Sequence, residues 1–88
     1  MIQTPRRSMG RLLNRPRPPL AYRIWWLRKR MGFQQAGAAA LLGVHRVTLS
    51  GWETGAVVPS DRALEDLSRV YGVPVTQLAT LRDQGVAP

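Results

Sequence analysis

The sequence contains no cysteine, so neither a disulfide staple nor a thiolate metal site supports whatever structure it forms. That fits a reducing compartment. It has a single histidine, and its five acids stand in no nucleophile–base or metal-ligand pattern. No glycine-rich phosphate loop is present either, so the inventory for an enzyme is missing, and no metal or cofactor is expected. The longest uninterrupted apolar stretch, residues 36–44 with its glycines counted, reaches about half of the ~20 residues a membrane-spanning helix needs. The basic N-terminus runs into prolines where a secretory signal would be apolar. The expectation is a cytoplasmic chain with no membrane partner.

The most telling absence is of negative charge. No acid precedes Glu53. Residues 1–52 hold ten cations, whereas residues 53–88 set three arginines against five acids, so net charges of +10 and −2 add to the overall +8. A one-sided basic field points to a polyanion. Twelve of the thirteen cations are arginine, whose planar fork matches phosphates and guanine edges as a lysine point charge does not. A merely solvated surface would mix the two signs, and this half does not.

The chain of 88 residues makes one domain at most. Residues 1–19 read as a flexible basic N-terminal arm, with Pro5, Pro16, Pro18 and Pro19 among Arg6, Arg7, Arg11, Arg15 and Arg17. Proline breaks helix and ladder hydrogen bonding and turns its predecessor away from the α region. Residues 20–83 form the domain and residues 84–88 a C-terminal tail. In the domain, Gly32, Gly43, Gly55 and Gly72 each follow an apolar-periodic run, the place where a helix ends. This punctuation predicts an all-α fold with five helices, at about residues 20–31, 35–42, 46–54, 61–71 and 75–82. Ser60 is placed to cap the fourth and Pro74 to open the fifth. The expected core faces are Ile24, Leu27 and Met31; Ala38, Ala39 and Leu42; Leu49 and Trp52; Leu64, Leu67, Val70 and Tyr71; and Val73, Val75, Leu78 and Leu81. Trp25 and Trp26 do not both fit the first of these faces. Either one packs under the arm or meets another protein, or the core stripe is broader.

The stretch "AAALLGVHRVTLSGWETG" (residues 38–55) joins two short helices through a glycine, the arrangement by which a helix-turn-helix presents a reading helix to the major groove. Ala39, a small residue where two helices cross, Gly43 in the turn, and Leu42, Val44, Leu49 and Trp52 around it all match the motif. The wider run "LRKRMGFQQAGAAALLGVHRVTLSGWETG" followed by "VPSDRALEDLSRVYGVPVTQL" resembles the lambda-repressor-like, Cro/C1-type (XRE) helix-turn-helix domain over about residues 22–81. The resemblance implies a compact five-helix lambda-repressor-like bundle. It also implies a structural salt bridge between Arg28 and Glu53, the latter in the family's E-x-G at residues 53–55. Two departures stand out. Gln34 and Gly37 replace the residues of a capping box, and His45 replaces a capping Ser or Thr.

The first residues of a reading helix meet base edges, which here makes Arg46, Val47, Ser50 and Gly51 the candidate base contacts. Arg46 suits a bidentate contact to guanine, Val47 a thymine methyl, and Ser50 either base type. Gly51 stands where the family often carries a long polar reader, so either the helix reads fewer bases or the glycine admits DNA closely. Gln35, His45, Thr48 and Arg30 are candidate phosphate contacts, and the five arm arginines can follow the backbone or enter the minor groove. By resemblance, Val57, Val58, Leu78 and Leu81 are candidates for a dimer interface. The expected function is a sequence-specific, double-stranded DNA-binding transcriptional regulator. The resemblance makes it a homodimeric repressor of bacterial, plasmid or phage type on a palindromic operator. The alternative is an antitoxin-type protein-interaction module that also binds DNA, with a toxin or co-regulator as its protein partner.

Overall fold

A computed structural model describes residues 17–85. They form α1 (Pro19–Arg30), α2 (Gln35–Leu42), α3 (Arg46–Thr54), α4 (Asp61–Tyr71) and α5 (Val75–Gln84), with no strand among the described residues. The all-α, five-helix expectation holds. The differences lie at helix ends: α1 starts and stops one residue early, and α5 runs two residues longer than its periodicity indicated.

Local chemistry explains most of the boundaries. Pro19 opens α1, where a missing N–H costs nothing. Arg28, Lys29 and Arg30 close the same helix against its dipole. The Ser60 hydroxyl accepts the Ala63 N–H at 3.2 Å, so α4 carries the side-chain cap its sequence called for. Neither Gln34 before α2 nor His45 before α3 makes a side-chain cap, as the missing capping residues foretold. Pro74 sits at the N-cap position immediately before α5. The sharp turn between α2 and α3 depends on Gly43 at φ +74°. With it, the Val44 N–H reaches back to the Ala39 carbonyl at 3.0 Å and the Gly43 N–H to Ala40 at 3.2 Å, closing the last turn of α2.

The core is continuous. Ile24, Leu49, Leu67 and Leu78 have no exposed surface, and they come from α1, α3, α4 and α5. Helix α1 lies at the centre, packed on α3, α4 and α5, while α2 packs on α3 and α4. The full burial of Ala38 and Ala39 is what lets α2 come so close. Three expectations need correction. Met31 and Val75 are exposed, because Met31 lies past the end of α1 and Val75 occupies the first position of α5, on its outer side. Leu78 is wholly buried, so it is a core residue with no surface to offer a second copy. In the other direction, Leu20, Ala21 and Ala63 join the core.

The two tryptophans divide. Trp26 packs on the edge of the core, with the Arg23 and Arg30 guanidinium carbons 4.8 and 5.1 Å from its ring centroid. Trp25 lies outside the core cluster. Tyr22 packs beside it, with ring centroids 5.9 Å apart, and Arg17 lies over it at 5.0 Å. One indole thus broadens the core and the other receives the last arginine before the domain.

Candidate nucleic-acid interface

Helices α2 and α3 stand on either side of Gly43, with α3 held against the body of the domain by Leu49, Trp52 and Glu53, all buried. At 100° per residue the opposite side of α3 presents Val47, Gly51 and Thr54, flanked by Arg46 and Ser50. Arg46 and Val47 are exposed, Val47 at 72%, and Ser50 and Thr48 are half-buried. The ion pairs among the described residues involve Arg28, Arg62, Arg69 and Arg82. Arg46, Lys29 and Arg30, all exposed, make none of these ion pairs and keep their charge unneutralised.

The inner side of α3 is fixed by a buried ion pair. Arg28 Nε and Nη2 donate to the two Glu53 carboxylate oxygens at 2.6 and 2.9 Å, a fork-on-fork geometry that a lysine does not reproduce. The third guanidinium nitrogen donates to the Phe33 carbonyl at 2.9 Å. Gln35 Nε2 adds a bond to Glu53 Oε1 at 3.1 Å. This cluster ties the end of α1, the start of α2 and the end of α3 into one unit. The hydrogen bonds that Arg28 donates to Glu53, outweighing burial, hold the Arg28 pKa above its ordinary value. The expected salt bridge is therefore present. Gln35, expected only to touch phosphate, also supports that bridge.

Tyr71 lies behind this pair. Its hydroxyl is buried without a hydrogen-bonding partner among the described residues. Burial first, and then the charge of Glu53, push its pKa up to about 12, with Arg28 acting in the opposite sense. An unfolded tyrosine ionises near pH 10. Above that pH the unfolded chain loses a proton that the folded chain keeps, so this contribution to stability is complete below pH 10 and is lost as pH rises toward 12. Tyr71→Phe should flatten the alkaline fall of the melting temperature over that window. Parallel curves for the two proteins would show that Tyr71 does not set it.

The segment after α3 is pinned to the helix from both sides. The Gly51 carbonyl accepts the N–H groups of Gly55 and Val57, both at 3.1 Å. The Thr54 hydroxyl donates to the same carbonyl and accepts from the Ala56 N–H, each at 3.3 Å. Gly55 adopts φ +88°, and a Cβ there would stand 2.5 Å from Pro18 Cδ. The chain entering α1 thus leans on the turn leaving α3, and only glycine fits between them. Beyond the turn, Arg82 of α5 donates to the Pro59 carbonyl at 3.1 Å and to Asp61 at 2.7 Å. Between Pro18, Ala21, Trp52, Val58, Pro59 and Leu81 lies an apolar groove of about 320 Å³.

Residues 19–81 match the helix-turn-helix domain family, and the chain belongs to it. The match bears out the resemblance read from the sequence and is consistent with a Cro/C1-type domain. The fold and family are those of DNA-binding regulators, which are typically non-enzymatic. No curated protein and no solved structure matches the chain significantly. Among the described residues, no helix is long and apolar enough to cross a membrane, and no cluster of side chains is arranged to hold a metal ion.

The candidate contact residues separate by position. Arg46, Val47 and Ser50 stand together on α3, and His45, exposed, immediately precedes them. Arg30 is exposed at the end of α1, its guanidinium resting on Trp26. Gly51 is not open: an added Cβ would meet Val57 Cγ2 at 3.0 Å. Val57 and Val58 are exposed and Leu81 is half-buried. Arg6, Arg7, Arg11 and Arg15 lie outside the described residues. Sequence reasoning missed the Pro18–Gly55 contact, the Arg82 clamp and the place of Val57, since each joins residues far apart in the chain or in an irregular segment with no periodicity to read.

Proposed function

We propose that the protein is a dimeric, sequence-specific transcriptional repressor of the Cro/C1 type, working in the cytoplasm on a two-fold symmetric operator in double-stranded DNA. The observation that carries this reading is the pairing of an outward α3 face with unneutralised positive charge: Arg46 stands at its first turn with no acid beside it, and Val47 and Ser50 follow. Arg46 donates to guanine, Val47 meets a thymine methyl and Ser50 accepts or donates to either base type. Gln35, His45, Thr48 and Arg30 hold phosphates and set the register.

One such domain reads only a few base pairs, so a second copy supplies the rest, with reading helices ~34 Å apart on one face of the duplex. Val58 and Leu81, on the apolar groove between the α3–α4 segment and α5 that Val57 also lines, are the pairing residues in this reading, since Leu78 is buried. The test is selection of bound sequences from random duplexes, followed by affinity measurement on the selected and a scrambled duplex. A protein-interaction role with a toxin or co-regulator is the second reading, favoured by Tyr22, 52% exposed on the outer side of α1 beside Trp25. A partner that co-purifies and is lost on Tyr22→Ala supports it.

The N-terminal arginines act on phosphates in this reading. Each phosphate contact contributes about 0.9 to the slope of log K against log salt. Deleting residues 1–16, which spares the Pro18–Gly55 contact, should lower that slope by up to about 3–4 if Arg6, Arg7, Arg11 and Arg15 all engage. An unchanged slope would show that the segment is a bystander.

A further inference from the structure

Gly51 occupies the middle of the outward side of α3, where a side chain would ordinarily face the partner of a reading helix. The space above it is filled. Val57 Cγ2 and Cβ lie 3.0 and 3.4 Å from where a Cβ of residue 51 would be. Val57 also lines the neighbouring apolar groove, yet half of its surface, 51%, stays exposed. It is also fixed there. Its own N–H is bonded to the Gly51 carbonyl, and the preceding turn is locked by Gly55 against Pro18. A β-branched side chain has little χ1 freedom of its own.

We infer that Val57 is a base-reading residue: it stands in for the side chain that Gly51 lacks and presents a rigid apolar surface to the C5-methyl group of a thymine. This rests on the reading that α3 enters the major groove. The glycine and the valine form one device. Glycine at 51 makes room, and the returning segment supplies from outside the helix a side chain that the helix itself does not carry. The chemistry recognised is a methyl group, because the Val57 side chain carries no donor or acceptor and its backbone N–H is already engaged with Gly51. Val47, one turn earlier on the same side, would read a separate methyl.

The experiment uses the full chain and duplexes selected from a random library. Each thymine of the selected site is replaced in turn by uracil, which removes the methyl group and nothing else. At one position, distinct from that sensed by Val47→Ala, uracil should weaken wild-type binding roughly three- to fivefold, the worth of one buried methyl group. Val57→Ala should bind the thymine and uracil duplexes equally at that position. Gly51→Ala, which displaces Val57, should alter the same position. Circular dichroism melts establish that both variants fold. A Val57→Ala profile identical to wild type overturns the inference, as does a selected site where no thymine responds to uracil. Loss of self-association by Val57→Ala with an unchanged uracil profile makes it a pairing residue instead and overturns it equally. Failure of the underlying reading looks different: no duplex is selected at all, or Arg46→Ala binds the selected site as wild type does.

Discussion

Replacing Arg28 with alanine should cost the domain about 3–5 kcal/mol, because it leaves the Glu53 carboxylate buried and stripped of its bidentate partner. Glu53 has 1% of its surface exposed, so water cannot take over from the guanidinium. The Phe33 carbonyl loses a donor as well. Only the Gln35 amide remains on Glu53, and one neutral donor does not balance a buried charge. Small domains hold roughly 5–15 kcal/mol in total, so Arg28→Ala should melt many degrees below wild type or fail to fold. Arg28→Lys should lie between the two, since a point charge replaces one arm of the fork and loses the others. The informative comparison is the double variant Arg28→Met with Glu53→Met. Removing both charges spares the desolvation penalty, so it should be more stable than Arg28→Ala alone. A melting temperature for Arg28→Ala within a degree or two of wild type would mean that the pair does not hold α1, α2 and α3 together.

Replacing Arg46 with alanine should leave the melting temperature unchanged and weaken binding to the selected duplex by about 1–3 kcal/mol, tenfold or more at the midpoint of that range. The side chain is exposed and makes no ion pair among the described residues, so the fold does not depend on it. The loss should fall on one base pair, so the variant should tolerate substitution there while keeping its preferences elsewhere. A uniform loss across all duplexes would make Arg46 a phosphate contact. No loss would remove it from the interface. The two substitutions divide the labour of α3: Arg28 acts on the side that is held and Arg46 on the side that is offered.

How much of this was legible in the sequence depends on the range of the interaction. The helices were readable because each ends on its own punctuation. Gly43 and Gly72 terminate α2 and α4 through contacts within five residues, and Ser60 caps α4 through the Ala63 N–H. The Arg28–Glu53 pair spans 25 positions and no local rule reveals it; it was reached through resemblance to a family in which that pairing recurs. The core faces were right wherever a full helical turn flanked the residue, and wrong at Met31 and Val75, where a helix end decides the outcome; Leu78 was rightly placed in the core, and its burial there removes it from the pairing surface. Gly51 was the most instructive position. From the sequence it was a gap in the reading face, open either to nothing or to DNA. The filling comes from Val57, six residues on and outside any regular element, so periodicity had no means of placing it.

The account rests on α3 as a reader of duplex DNA, and the most direct test is the affinity of the full chain for its selected duplex against a scrambled one of equal length, at near-physiological salt, for wild type and Arg46→Ala. The account predicts a preference of roughly a thousandfold or more for the selected sequence, reduced in Arg46→Ala. Equal affinity of the wild-type protein for both duplexes, or none for either, would contradict it.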